Sequence, residues 1–393
     1  MGHHHHSRHD ARDTQRMRNV ALAVIVPAGL ITLLALIWLW PPASKTVDQS
    51  GRADQSLAVV TGLTKKECPP SPAGEESGPT GPTTVVNGCG TALVQLTDGP
   101  DRERRLTVEL PNGPGAPLIA EGDEVVLVKT SAPEGERYDI VDHQRSKGLW
   151  LLAIAFVLAV VAFGRWRGFA ALIGLAVTFA LLLFFVVPAI LAGESPLLVA
   201  IVGSAAIMLT VLYLTHGVSL LTSVAVLGTL ASLCLTGLLA AAWVEGMHLT
   251  GLTDDSSTFL ATSQSVNMQG LLLAGIVIGT LGVLDDVTVT QAATITELAR
   301  ANPGYGVREL YRAGTRVGRA HIASVINTII LAYAGSSLPL LILIAANNTS
   351  ISNVVTTQVI AQEIVRSVVA TLGLIAAVPI TTALAAVTAR RAL

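Results

Sequence analysis

The chain has 393 residues and a formal net charge of −2, so neither sign of charge dominates it. Hydrophobic residues make up 51% and charged residues only 13%, about half of the usual share for a soluble domain. So little charge cannot cover the surface of a soluble protein of this size, and no basic, aromatic-rich segment indicates a nucleic-acid partner. We therefore expect an α-helical polytopic membrane protein.

The first apolar run, residues 20–40, follows a polar tail, residues 1–19, that contains four arginines and a run of four histidines. The histidine run is either a tag or a native tail, and we assign it no role. An apolar run of this length can span a bilayer, whereas the apolar part of a cleaved signal peptide is normally shorter. We therefore expect segment 20–42 to be a retained transmembrane anchor.

Residues 43–147 differ from the rest of the chain because charged residues are frequent there. Five short β-like runs, 56–63, 91–96, 105–110, 124–129 and 137–141, are separated by turn signals rich in Gly, Pro, Asn and Asp. They predict a small all-β domain of OB-like barrel type, with a generic small sandwich as the alternative. If this domain is extracytoplasmic, a disulfide between Cys68 and Cys89 is possible.

From residue 148 onward the chain consists mainly of apolar runs joined by short loops, which predicts a seven-helix membrane domain over 148–393 and about eight spans in all. The predicted spans are 148–163, 168–190, 196–214, 217–244, 269–299, 321–346 and 361–389. Arginines occur before the first span, at 165 and 167, in 300–319 and at 390 and 391, whereas segments 191–195, 245–268 and 347–360 carry no Lys or Arg. The positive-inside rule then places both termini in the cytoplasm and the β-rich domain outside.

Two acids, Asp285 and Asp286, fall inside the span 269–299, where an ionised carboxylate is costly and usually marks a water-filled cavity or a transport path. Helical spacing places Asp286 on one stripe with Thr290, Glu297 and three glycines, Gly275, Gly279 and Gly282. The glycines predict close helix packing, within one chain or between two chains. For Asp286 we weigh an ion or proton site against a fixed ion pair or helix-end hydrogen bond.

The next span, 321–346, carries polar residues at its beginning. Ser324 and Thr328 share a face with His321, and Asn327 lies beside them. We predict that these four residues line the same path as Asp285, Asp286, Thr290 and Glu297.

Several chemistries lack their sequence motifs. The chain contains no GxxxxGK[ST], HExxH, GxSxG or CxxC pattern. We therefore expect no enzyme activity and no cofactor, and the sequence leaves open whether a metal binds.

Three stretches around the two polar spans resemble the YibE/F-like family of bacterial membrane proteins: 270–279, 281–287 and 327–339. The resemblance extends over most of the chain and implies a multi-pass protein of the bacterial inner or plasma membrane. Members usually have an Asp where this chain has Asp286 and a Glu where it has Glu297. Many have an apolar residue in place of Asp285, and they commonly read Gly-Arg-Asp where this chain has Gly318, Arg319 and Ala320.

Two functions fit these observations. The first is a secondary transporter or channel that moves an ion or small solute, with the intramembrane acids as cation or proton site. The second is a membrane-anchored scaffold or sensor whose β-rich domain binds an extracytoplasmic partner. Besides lipid, a second copy of the chain or an extracytoplasmic protein remain as partners. A cavity that reaches Asp286 would favour the transporter, and a tightly packed bundle would favour the scaffold.

Overall fold

The computed structural model describes residues 23, 25–41, 54–66, 87–99, 101–113, 115–132, 135–346 and 351–392. The chain divides into two compact units, which are described separately below. One consists of Met1–Ser44 and Phe163–Leu393, and the other of Lys45–Ala162. The histidine run and Cys68 lie outside the described residues.

All five predicted strands are present in the unit Lys45–Ala162. They are β1 (Asp54–Lys66), β2 (Cys89–Leu96), β3 (Arg105–Glu109), β4 (Glu124–Ala132) and β5 (Gly135–His143). They form one antiparallel sheet in the order β3-β2-β1-β4-β5. Alternate residues such as Val60, Val94 and Leu127 are buried, as expected for strands with one apolar face.

The two outer strands of this sheet approach each other. Arg137 of β5 forms an ion pair with Glu109 of β3, with 2.6 Å between Nη2 and Oε2. Arg137 also pairs with Asp139 of its own strand at 3.0 Å. The sheet therefore curves so that its two edge strands, β3 and β5, lie next to each other.

The first apolar helix, α1 (Ile25–Trp38), is shorter in the described residues than the predicted run of 20–40. Its 14 residues rise about 21 Å, less than the roughly 30 Å of a hydrocarbon core. Beyond it, the Trp40 ring stacks on Phe185 at a centroid distance of 5.7 Å.

The next helical stretch, Ser146–Leu191, contains α2 (Ser146–Leu181), a π-helical turn (Leu182–Val186) and α3 (Val187–Leu191). Its 46 residues would extend about 69 Å if straight, twice what one crossing needs. The backbone is non-helical at Arg165, with φ 50° and ψ −129°. This break separates the two spans that the sequence predicts as 148–163 and 168–190.

Pro188 explains the π-helical turn. Proline has no N–H, so it cannot donate the usual hydrogen bond to the carbonyl four residues earlier. Just before it the helix widens, and the Val187 N–H donates to the Leu182 carbonyl five residues back. The span thus continues to Leu191 despite the proline.

The remaining helices are α4 (Pro196–His216), α5 (Leu220–Gly246), α6 (Asp255–Ser263), α7 (Met268–Ala301), α8 (Val307–Ser336), α9 (Leu338–Ala346), α10 (Ile351–Val355) and α11 (Gln358–Ala392). Within the described residues, six helices are long and apolar enough to cross a membrane. The predicted total of about eight is not confirmed.

Helix α8 begins at Val307, well before the predicted start at residue 321. The Glu309 carboxylate accepts a hydrogen bond from the Gly306 N–H at 2.8 Å and so stabilises this early start. The predicted inner loop between α7 and α8 is therefore only a few residues long.

Helix α7 is central in its unit, because it packs against α4, α5, α8 and α11. Small residues allow close approach in this bundle. A Cβ at Gly373 of α11 would lie 2.0 Å from Thr236 Oγ1 of α5, and one at Gly228 would lie 2.3 Å from Thr381 Oγ1. Such glycine contacts let membrane helices pack tightly without a hydrophobic driving force.

Candidate functional site

Asp285 and Asp286, the two acids within the apolar part of α7, both line a cavity of about 570 Å³. The cavity lies between the second part of α2, the end of α4 and the middle of α7. Its lining combines four ionisable side chains with an apolar wall, and consists of Arg167, Ala171, Val211, Leu212, Thr215, His216, Asp285, Asp286 and Val289.

Helix α7 holds the two acids in place through its buried face. Leu284, Val287 and Thr288 are fully or almost fully buried, whereas Asp285 is half-buried and Asp286 is exposed. The Thr288 hydroxyl also donates to the Thr229 hydroxyl of α5 or accepts from it at 2.6 Å. This polar link between buried helices fixes the rotation of α7 and hence the direction of both carboxylates.

Neither acid is neutralised by an ion pair in the described part of the chain. The ion pairs found between helix residues of this unit are Glu297–Arg300 and Glu363–Arg366. The fixed ion pair considered for Asp286 is therefore absent from the described structure, and both carboxylates are available to the cavity.

Sequence reasoning missed two members of this site, Arg167 and His216. Arg167 follows the break at Arg165, and His216 is the last residue of α4, with its Nδ1 2.8 Å from the Thr215 hydroxyl. The predicted topology already placed both residues in cytoplasmic loops, on the side toward which the acids lie. That shared side was the available signal. Arg167 and His216 reach one cavity with the acids only because α4 packs against α7 and Gly174 of α2 lies beside Val211 of α4.

The exposed side of α7 forms the floor of a groove. Residues on one flank face α2 and α4, as Asp285 and Val289 show by lining the cavity. On the other flank, Gly279 and Val283 line a small space of about 160 Å³ beside Tyr333 of α8. At 100° per residue, Asp286 falls between these two flanks.

The three predicted packing glycines lie along this groove and are exposed. A Cβ at Gly275 or Gly282 would meet no atom within 4 Å, and one at Gly279 would lie 3.5 Å from the Tyr333 hydroxyl. Gly275 and Gly282 therefore do not pack against a helix within the described part of this chain. Packing between two chains stays a prediction.

Two other predicted path residues of α7 lie away from the cavity. Thr290 is exposed and absent from the cavity lining. Glu297 pairs with Arg300 at 2.7 Å, and the two side chains are 70% and 65% exposed. Glu297 is thus a surface residue in an ion pair, not part of the site around Asp286.

Helix α8 runs antiparallel to α7. Near one end of the pair, the Gln291 amide donates to the Gly314 carbonyl at 2.9 Å; near the other end, Gly279 lies beside Tyr333. Counting between these contacts places Ser324 at about the level of Asp286. Ser324, Asn327 and Thr328 are exposed and do not line the cavity.

His321 of α8 is half-buried, and its Nε2 has no hydrogen-bond partner in the described part of the chain. It also lies outside the cavity lining. Of the eight predicted path residues, only Asp285 and Asp286 thus line this cavity.

Gln291 is a buried polar residue that the sequence analysis passed over. It is 4% exposed, and besides Gly314 its amide donates to Thr382 Oγ1 at 2.7 Å. A glutamine within an apolar run needs such partners, so its presence there was a signal. Gln291 thus connects α7 to α8 and α11, five residues after Asp286 in the chain.

No cluster of three or more His, Cys, Asp or Glu side chains suited to a metal ion occurs among the described residues. Cys234 is a free thiol. Cys89 takes part in a disulfide, and because Cys68 lies outside the described residues, the predicted Cys68–Cys89 pairing stays a prediction.

Comparison with known proteins identifies the family of this chain. No curated protein and no solved structure matches the chain. The profile of the family described as YibE/F-like protein matches residues 152–391, which is more than half of the chain and includes the whole cavity lining. The chain therefore belongs to the YibE/F-like protein family.

Proposed function

We propose that this protein is a secondary membrane transporter or channel for an ion or small solute, in which Asp285 and Asp286 bind a cation or carry a proton. One observation carries the proposal: a cavity of about 570 Å³ reaches two adjacent carboxylates that have no ion-pair partner in the described structure. Carboxylates within apolar spans are costly, and a hydrated cavity or a bound cation offsets that cost.

The charges around the cavity suit a cation or proton. Asp285 and Asp286 bring two negative charges when ionised, and Arg167 brings one positive charge. A bound cation or proton balances the remaining negative charge. His216 adds an imidazole, and because its Nδ1 contacts the Thr215 hydroxyl, its Nε2 remains for a bound ion or solute.

The same cavity favours a transporter over a scaffold or sensor. A scaffold needs only packed helices. An unpaired acid that faces a cavity would lower the stability of the membrane domain without helping it to act as a scaffold. The β-rich unit still suits a binding role. Its five antiparallel strands, with β3 and β5 brought together by Arg137 and Glu109, support the OB-like barrel that we propose for it.

The proposal includes eight crossings in a bacterial cell membrane. The break at Arg165 supports two crossings within Ser146–Leu191, and the apolar run 20–40 supports an anchor that continues beyond Ile25. The arginine-bearing loops then lie in the cytoplasm, and the cavity opens toward that side.

Flux through proteoliposomes tests the proposal. The purified chain is reconstituted, and entry of protons or of K⁺ and Na⁺ is followed with an internal pH dye or a cation-sensitive dye. We expect a flux above that of empty liposomes, and we expect Asp286→Asn to slow it about ten-fold or more, since it removes one charge from the cavity.

Glu297→Gln is the matched control, because it removes a carboxylate from the same helix outside the cavity. It should leave the flux unchanged. Wild-type flux in Asp286→Asn would exclude this residue from the path, and no flux of protons, cations or small solutes would leave the scaffold as the better reading.

A further inference from the structure

The first part of α8 carries four arginines on one exposed stripe. Arg308, Arg312, Arg316 and Arg319 are spaced by four, four and three residues, which places them on one side of a helix. All four are exposed. This stripe exists only because α8 begins at Val307; in an irregular loop the same arginines would have no common direction.

Packing of the opposite side of α8 fixes the direction of the stripe. Leu310, Gly314 and Gly318 are buried. A Cβ at Gly314 would lie 2.0 Å from Ile295 of α7, and one at Gly318 would lie 2.5 Å from Val378 of α11. Arg312 and Arg316 each follow a buried residue by two positions, about 200° around the helix, so they point away from the bundle.

No acid neutralises the stripe within the described residues. The ion pairs found there do not include any of the four arginines. Glu309, the acid within the same turn, accepts instead from the Gly306 N–H. The stripe therefore presents uncompensated positive charge.

The position of the stripe along α8 is that of a membrane surface. The helix has 30 residues and rises about 45 Å, more than the roughly 30 Å of a hydrocarbon core. The charges stop at Arg319, and residues 320–336 contain no Lys, Arg, Asp or Glu. The arginines thus occupy the portion that extends past the core to the headgroups.

We propose that Arg308, Arg312, Arg316 and Arg319 form a docking surface for anionic lipid headgroups. The guanidinium group binds a phosphate through two parallel hydrogen bonds, and spacing along one face allows several headgroups to bind side by side. A lipid fits better than a free anion, because the adjoining apolar part of α8 can contact the acyl chains of the same molecule.

Native mass spectrometry of the full chain in detergent micelles tests this surface. The probe is phosphatidylglycerol, compared with phosphatidylcholine of identical acyl chains. The wild-type chain should retain phosphatidylglycerol preferentially. Arg312→Gln with Arg316→Gln should weaken that retention ~10-fold or more, because a surface arginine contributes on the order of five-fold to anionic lipid binding.

Two further double variants test whether retention depends on the charge of the stripe itself or on the net charge of the protein. Arg312→Lys with Arg316→Lys keeps both charges and should retain most of the phosphatidylglycerol. Arg102→Gln with Arg105→Gln removes two exposed charges from the β-rich unit and should change retention little. If the glutamine pair fails to fold, Arg316→Gln alone compared with Arg316→Lys makes the same comparison.

Three outcomes would overturn the proposal. Equal retention in the wild type and the glutamine pair would show that the stripe binds no lipid. An equal loss in the Arg102 and Arg105 pair would mean that only net charge matters. Displacement of phosphatidylglycerol by inorganic phosphate alone would show that the stripe selects a free anion.

Discussion

At the scale of single residues, Asp285 and Asp286 are neighbours in sequence but differ in environment. Asp285 is half-buried on the flank toward α2 and α4, and Asp286 is exposed on the groove floor. Successive residues of a helix are separated by 100°, so helical spacing alone does not require both side chains to face the same space. The cavity is wide enough to include both.

This shared cavity changes what is expected of Asp285. Asp285→Asn should slow flux in proteoliposomes as strongly as Asp286→Asn, since both carboxylates line the space through which the ion would pass. Similar loss in the two variants would indicate that the acids act as one unit. Wild-type flux in Asp285→Asn would restrict the site to Asp286.

Gln291 provides a test of the polar contacts that support the site. Gln291→Leu removes the hydrogen bonds to Gly314 and Thr382 while keeping a similar volume. We expect a loss of about 1–2 kcal/mol in the free energy of unfolding, because two hydrogen bonds between membrane helices are lost and each contributes roughly 0.6–1 kcal/mol. Thermal unfolding in detergent measures it.

Thr294→Val is the control for Gln291→Leu, because among the described residues the Thr294 hydroxyl bonds only to the Thr290 carbonyl of its own helix. It should lower stability much less. An equal effect of the two substitutions would argue against a special role for the contacts between α7, α8 and α11.

Asp142, at the end of β5, offers a test by pH. A hydrogen bond from Arg145 and a second from the His143 N–H lower the pKa of Asp142 below its ordinary value of 3.8. A lowered pKa contributes stability above the ordinary value, and that contribution disappears as the pH falls through the lowered pKa.

Arg145→Gln should therefore raise the pKa of Asp142, but only part of the way, because the His143 N–H still donates to the carboxylate. Carboxyl ¹³C shifts followed from about pH 2 to 6 measure the change. Arg102→Gln removes an equal charge from the same unit and should leave the Asp142 titration unaltered. A shift of the same size in both variants would assign the effect to net charge.

At the scale of elements, the close approach of α5 and α11 depends on missing side chains. Gly373→Ala would place a Cβ 2.0 Å from Thr236 Oγ1 and 3.2 Å from Thr236 Cβ. We expect it to lower the free energy of unfolding by about 1–3 kcal/mol, as overpacking does. Thermal unfolding of the chain in detergent shows the change.

Thr236→Ala in the Gly373→Ala background should restore part of this loss, because it removes the nearest clashing atom but not the Cβ. Gly282→Ala serves as the control, since its Cβ would meet no atom within 4 Å. A tolerated Gly373→Ala would mean that α5 and α11 separate easily.

At the scale of the whole molecule, the proposed eight crossings predict which loops share a side of the membrane. A cysteine at residue 166 or 304 should react from one side, and a cysteine at residue 194 or 250 from the other. A membrane-impermeant maleimide applied to intact cells and to inverted vesicles distinguishes the two sides. Labelling of residues 166 and 194 from the same side would contradict two crossings within Ser146–Leu191.

Local patterns predicted much of the architecture. Alternating apolar residues and turn signals located all five strands, because each strand must bury one face. Long apolar runs located the helices, because a membrane span must satisfy its backbone hydrogen bonds internally. The predicted start of α8, residue 321, was wrong. The first part of this helix exposes polar side chains, so the length of the apolar run did not indicate that the helix begins at Val307.

The sequence by itself determined the membrane class, the β-rich unit, the family and the acids that carry the proposed function. Each follows from composition, periodicity or a contiguous motif, which are local properties of the chain. Only the tertiary structure decided that Arg167 and His216 join those acids and that Thr290, Glu297, Ser324 and His321 do not. Membership of a cavity depends on how separate helices rotate and pack, and this packing brings together residues that lie 69 to 119 positions apart in the chain.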